Sequence, residues 1–315
     1  MYKEKIYNKV PILIPSKDKK YLVIGDDLDS YLSASLFIKH NPNTKIIGFY
    51  EEYNKLYLHK NFNGVLDKTL WIDLDIYNSN CISLGHHILR HSKNDTLHGL
   101  DNSFNLNEDR GVFFESFNRK CPISTIQFLF DLYEESYKYH SIKEHLIWLA
   151  DSVYINAQKY RDNVQEWMLN YFNNPYLLHT FNETNTIEFE IRMANLFKRF
   201  ENIGISCENY KYETSHLKLG GYQFRYKFNS DRNKIKRIAS IIKKYTGYPN
   251  FYNCIINGGN DFWLLQGVRN SKSLNIYPPL NLIPFLDSNK VFSYVFPNKN
   301  SINYTSIIDF NKNIP

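Results

Sequence analysis

The sequence predicts an α/β protein, with an N-terminal domain built on a parallel sheet and a smaller mixed α/β C-terminal domain. Three observations carry this. Short apolar runs recur at Tyr21–Ile24, Lys45–Tyr50, Thr69–Ile72 and Cys81–Leu84, as expected of strands buried on both faces of a parallel sheet. Several of these runs end in carboxylates or imidazoles, and open α/β sheets place ligands at the carboxyl ends of their strands. In the C-terminal half, Lys and Arg become interleaved with Tyr and Phe, a shift in composition that marks a second domain.

The elements follow in order. Tyr21–Ile24 reads as a strand, Tyr31–Lys39 as a helix and Lys45–Tyr50 as the next strand. Two further strands run into Asp73 and Gly85. Helices are expected over Ser124–His140 and Ile142–Gln158, with Pro122 just before the first and His140-Ser141 between them. Asn173 to Asn185 is polar and poorly periodic, and leads into a connecting helix at Ile187–Phe200 with a boundary near Ile203. Tyr222–Phe228 alternates aromatic and polar or basic residues as a strand does. A helix over Asn233–Tyr245 follows, then a hairpin joining Phe251–Ile256 to Phe262–Val268 through Gly258-Gly259-Asn260. The expected division is residues 1–172, a linker at 173–203, and residues 204–315.

The chemistry gathers at the strand ends. Gly25-Asp26-Asp27-Leu28-Asp29-Ser30 follows the first apolar run. On an extended backbone Asp27 and Asp29 point the same way, and crowded carboxylates call for a cation or a proton between them. Helix N-capping is the alternative use of such aspartates. Asp73 and Asp75 end a second run, Gly85-His86-His87 a third, and Asp151 closes the apolar segment that begins at Leu146. Carboxylates with one or two imidazoles suit Mn²⁺ or Mg²⁺ better than zinc.

With these residues in place, the chain resembles the DHH phosphoesterases, which include RecJ-type exonucleases, nanoRNases and cyclic-dinucleotide phosphodiesterases. The family's first motif, His-x-Asp-x-Asp-Gly-x-x-Ser, aligns with Gly25 to Ser33, where Gly25 replaces the His and Ser30 the Gly. Its Asp-His-His motif aligns with Gly85-His86-His87. The resemblance covers about the first half of the chain and implies a DHH-like catalytic domain followed by a substrate domain. It implies one Mn²⁺ or Mg²⁺ on Asp29, Asp73, His86 and Asp151, and a second on Asp27 and Asp73 that lacks one ligand. Asp75 is the alternative to Asp73, and Asp26 a candidate to complete the second site. His87 is the implied catalytic group facing a phosphate. Gly85 removes the carboxylate that supports the imidazoles in the family. Asp261 to Ser271 is similar to the strand and Arg-Ser element of the substrate domain, which assigns Arg269 and Ser271 to phosphate; Pro278-Pro279-Leu280-Asn281 lies where its glycine-rich His motif would follow.

The chain has 315 residues, 43% of them hydrophobic, enough for a sizeable core. Its four cysteines lack paired spacing, so a reduced, cytoplasmic setting is expected, with Cys81 and Cys254 as apolar filler. No apolar run approaches the roughly 20 residues that span a bilayer. The net charge of +6 suits a polyanionic partner and is ordinary for a cytosolic domain. The aromatics of Tyr222–Phe228 are core residues on the simpler reading and a base-stacking platform on the sharper one. His91, His98, Ser103, Phe104, Asn105 and Arg110 are placed near the site only by position. Two classes of function follow. One is a divalent-metal phosphodiesterase acting on short oligonucleotides, single-stranded ends or a cyclic dinucleotide. The other is a protein of the same fold, weakened in catalysis, that binds nucleic acid or a protein partner. A homodimer is compatible with both.

Overall fold

The computed structural model describes residues 2–62, 68–202, 211–214, 219–222, 225–274 and 281–307. The strands are β1 (Tyr21–Ile24), β2 (Lys45–Glu51), β3 (Lys55–His59), β4 (Thr69–Ile72), β5 (Ile82–Gly85), β6 (Phe104–Asn105), β7 (Lys211–Thr214), β8 (Leu219–Tyr222), β9 (Phe262–Gln266), β10 (Val268–Ser273), β11 (Val291–Asn298) and β12 (Ser301–Ser306). The helices are α1 (Tyr2–Lys9), α2 (Leu28–His40), α3 (Leu106–Arg110), α4 (Thr125–Leu132), α5 (Ile142–Leu149), α6 (Val153–Lys159), α7 (Arg161–Asn170), α8 (Pro175–Glu183), α9 (Thr186–Glu201), α10 (Arg232–Thr246) and α11 (Leu282–Ser288). The protein is α/β, as its sequence predicts. Its backbone packs as two compact units interleaved along the chain: Met1–Gly25, Asn41–Cys121 and Asn253–Pro315 form one, Asp26–His40 and Pro122–Tyr252 the other.

The first unit carries a seven-stranded sheet in the order β6-β5-β4-β1-β2-β3-β9. The pairs from β6 to β2 are parallel, and β3 and β9 are antiparallel additions at one edge. All four residues of β1 and of β4 are buried, which is why both read as unbroken apolar runs. Strand order reverses between β1 and β4, the switch point where such sheets open a crevice at their carboxyl ends. Trp71, Tyr50, Phe62 and Phe292 pack edge to face in the core of this unit. Cys81 lies in the same core and burial pushes its thiol up, as it does that of Cys254, in keeping with a filler role for both. A second sheet, β10-β12-β11, is antiparallel.

The second unit is helical, with one antiparallel pair among its described residues, β7 and β8. Its helices depart from expectation in instructive ways. The expected helix Ser124–His140 stops at Leu132, and Glu134 turns into the left-handed region at φ 53°. Tertiary contacts end it. Tyr133 stacks on His40 at 4.2 Å, and the Asn174 amide donates to the Glu135 carbonyl at 2.9 Å. The segment expected to be irregular, Asn173 to Asn185, holds α8. Asn174 caps it by accepting from the Tyr176 and Leu177 amides, ahead of Pro175 at the first helical position. Helix α7 was not foreseen, whereas α9 and α10 lie close to expectation.

The expected hairpin is also corrected. Phe251–Cys254 and Ile256–Gly259 are short 3₁₀ turns, and β9 pairs with β3 instead. The Gly-Gly-Asn signal marks a real reversal, but β9 runs antiparallel to β3 over five paired positions instead of folding back on the preceding segment. Of the expected strand Tyr222–Phe228, Tyr222 ends the described part of β8 and Gln223 and Phe224 lie outside the described residues; Arg225 makes an isolated bridge to Asp27, and residues 226–227 are irregular. Tyr226 and Phe228 are buried beneath Lys234 and Arg232, which leaves neither ring open to a base. The boundary near Ile203 and Pro278-Pro279-Leu280 lie outside the described residues. No helix among the described residues is long and apolar enough to cross a membrane.

An ion cluster in the second unit contributes to its acid stability. Glu135 accepts from Lys39, from His40 at 3.0 Å and from Lys143 at 3.2 Å. Burial alone would raise its carboxyl; the His40 and Lys39 hydrogen bonds and the Lys143 charge reverse that and hold it at about 2, below the ordinary 4.5. A depressed carboxyl contributes stability above its unfolded value and loses it as pH falls through the folded one. Glu135→Gln is therefore expected to cost about 2–3 kcal/mol at neutral pH. Urea unfolding across pH will show a steep loss in the wild type between about 4.5 and about 2, and a flatter profile in the variant.

Candidate functional site

In the first unit the site grows from the ends of β4 and β5. Asp73 follows β4 with φ 60°, while Leu74 returns to the ladder through its amide to the Leu84 carbonyl at 3.0 Å. A non-glycine residue held in the left-handed region is costly, and such strain concentrates at functional positions. His86 Nδ1 lies 3.7 Å from Asp73 Oδ1, too long for a hydrogen bond and short enough to share a cation. The His86 and His87 rings stack at 4.7 Å. His87 Nδ1 meets Asp75 Oδ2 at 2.9 Å.

Two asparagines hold this corner. Asn107 donates to the His86 carbonyl at 2.6 Å. Asn105 accepts from the Asn107 and Glu108 amides, which caps α3, and donates to Asp75 Oδ1 at 2.8 Å and to the His87 carbonyl at 2.9 Å. The sequence marks Asn105 by position alone; its only further signal is the capping preference of Asn before a helix.

In the second unit Asp29 opens α2 and is fully buried. Its carboxylate accepts the Thr125 amide at 2.7 Å, the Ile126 amide at 2.8 Å and the Ser33 hydroxyl at 3.2 Å. It thus sits on the buried amides of the first turn of α4, where a negative charge is favoured. Asp151 falls where the expected helix Ile142–Gln158 breaks into α5 and α6. Asp151 and Ser152 both have positive φ, 49° and 51°. Helical periodicity continues through the break, so only the backbone reveals it.

Asp29, Asp73, His86 and Asp151 each offer one ligand atom, and these atoms lie within 4.8 Å of one another. Three carboxylates and one imidazole form a donor set that could hold a metal ion. The other acidic candidates have different engagements. Asp27 caps α2, its Oδ1 accepting the Ser30 amide at 3.0 Å. Asp26 is buried, with Arg225 Nη1 3.8 Å from its carboxylate. Asp75 is tied to His87 and Asn105. Arg269 lies in β10 with its guanidinium 4.6 Å over the Tyr53 ring and donates to Thr305 Oγ1 at 3.3 Å; Ser271 is exposed on the same strand. His91 stacks on Phe114, and His98 is largely exposed. No family model, curated protein or solved structure matches the chain.

Proposed function

We propose that the protein is a divalent-metal-dependent phosphodiesterase that hydrolyses short oligonucleotides or single-stranded nucleic-acid ends. The observation that carries this reading is the donor set of Asp29, Asp73, His86 and Asp151. Its members come from four separate places in the sequence, and two of them occupy strained backbone. The +6 net charge is compatible with a polyanionic substrate.

A bound Mn²⁺ or Mg²⁺ would supply positive charge to a phosphoryl oxygen and lower the pKa of a water. The chain's own residues account for the rest. Asp29 would be held rigid by the α4 amides, so its carboxylate needs little reorganisation on binding. His87, whose ring stacks on His86 at 4.7 Å, would donate to a phosphate oxygen as charge develops there. Asp27 is occupied as a helix cap and Asp26 stands beside Arg225, which supports a site for one ion.

The test is cleavage of an end-labelled short DNA or RNA and of a cyclic dinucleotide, with Mn²⁺, Mg²⁺ or chelator. Mn²⁺-stimulated hydrolysis is expected, together with its loss in His86→Ala. Hydrolysis that persists in chelator, or in His86→Ala, overturns the proposal. The second reading is a non-catalytic nucleic-acid-binding protein, and the capping role of Asp27 favours it. Binding of single strands without turnover of any of these substrates would establish it.

A further inference from the structure

Asp75 and Gly85 lie ten residues apart in sequence, on a turn and on the neighbouring strand end, and compete for one space. A Cβ added to Gly85 would stand 2.1 Å from Asp75 Oδ1, 2.3 Å from its Cγ and 2.5 Å from Oδ2. The φ of Gly85 is not in the left-handed region, so the backbone does not require glycine there; the space does. The Asp75 carboxylate fills the volume that a side chain at position 85 would take. It is buried, 3% exposed, and every contact it makes there is directed. Oδ1 accepts the Asn105 amide at 2.8 Å. Oδ2 accepts the His87 backbone amide at 3.2 Å and His87 Nδ1 at 2.9 Å.

We propose that Asp75 is the positioning residue of His87: its carboxylate, seated in the space that Gly85 leaves, fixes the ring's orientation and its tautomer. A carboxylate only accepts, so the facing Nδ1 carries the hydrogen and Nε2 is the nitrogen turned outward. The ring is 40% exposed and stacks on His86, and Nε2 is the ring nitrogen that Asp75 does not engage. Asp75 therefore acts through His87 and is not itself a metal ligand, although its sequence position, two residues after Asp73, suggests one. A buried carboxylate beside an imidazole would otherwise be costly, and the Asn105 amide and the two His87 groups offset that cost. The glycine and the aspartate form a matched pair, and neither is interpretable without the other.

The role in turnover rests on the phosphodiesterase reading; the control of the ring does not, and it is measured without metal or substrate. Long-range proton–nitrogen spectra of the ¹⁵N-histidine protein should show the neutral His87 ring protonated at Nδ1. Asp75→Asn keeps the shape of the side chain and should release His87 toward a mixture with Nε2 protonated. The exchanged pair Asp75→Gly with Gly85→Asp should restore the Nδ1 form, because a carboxylate returns to the same volume. A purely structural role for Asp75 would change stability and leave the tautomer unmoved. A wild-type ring protonated at Nε2, or an unchanged spectrum in Asp75→Asn, overturns the proposal.

A packing cycle gives a second measure. Gly85→Ala should destabilise the wild type and be tolerated in an Asp75→Gly background. A harmless Gly85→Ala in the wild type overturns the shared-space argument. For turnover, Asp75→Asn should lower kcat by about 10- to 100-fold with little change in KM, as for loss of a group that orients a neighbour. If the wild type hydrolyses no phosphodiester while the ring is locked at Nδ1, the functional reading fails and the positioning role stands.

Discussion

Asp29→Ala is expected to abolish Mn²⁺ binding and to destabilise the metal-free protein by about 2 kcal/mol, the net of two opposing effects. The carboxylate is fully buried and receives the Thr125 and Ile126 amides. Alanine leaves both amides without that acceptor, at roughly 1–3 kcal/mol each. The change also removes a negative charge whose ligand oxygen lies within 4.8 Å of that of Asp151. Relief of that repulsion returns only about 1–3 kcal/mol, the range between water and a partly buried site. The loss therefore wins. Metal widens the gap. At a hundred times its Kd, an ion bound only by the folded state adds about 2.7 kcal/mol to the wild type and nothing to a variant that cannot hold it. Urea unfolding in Mn²⁺ and in chelator reads both quantities. A variant still protected by Mn²⁺ would remove Asp29 from the donor set, and one as stable as wild type in chelator would show that the α4 amides do not depend on it.

Asp151→Gly and Asp151→Ala are expected to lose Mn²⁺ affinity alike, by 100-fold or more, yet to differ in stability. Asp151 holds φ 49° at the break between α5 and α6. Glycine adopts that conformation without the steric cost that a Cβ brings. The glycine variant should therefore be more stable than the alanine variant in chelator by about 0.5–1 kcal/mol. The comparison separates what the carboxylate does for the ion from what the backbone endures to present it. Strain kept at such a position fits a site shaped for a ligand at the expense of stability. Mn²⁺ titration by calorimetry, run beside unfolding in chelator, checks both halves. Wild-type affinity in either variant would exclude Asp151 as a ligand, and equal stabilities would mean the left-handed turn is not retained.

The buried strands of the large sheet were legible in the sequence because a strand covered on both faces leaves an uninterrupted apolar run. The acidic or imidazole residues just beyond β1, β4 and β5 were legible for the same reason: the run stops where the strand leaves the core. Asp29, Asp73, His86 and Asp151 could thus be named as a donor set from residue type and order. Their spacing could not, because it depends on two left-handed turns, at Asp73 and Asp151, that leave no trace in hydrophobic periodicity. Residue type also could not give the hydrogen-bond partners of the remaining acidic side chains. Asp27 serves α2 as a cap, and Asp75 turns toward His87 into space that a glycine ten residues later leaves vacant. The end of α4 and the pairing of β9 with β3 were decided in the same way, by contacts between residues far apart in the chain. Local pattern reports how much of a residue is buried; which neighbour it meets there is set by packing, and in this protein packing chose the partner of each carboxylate.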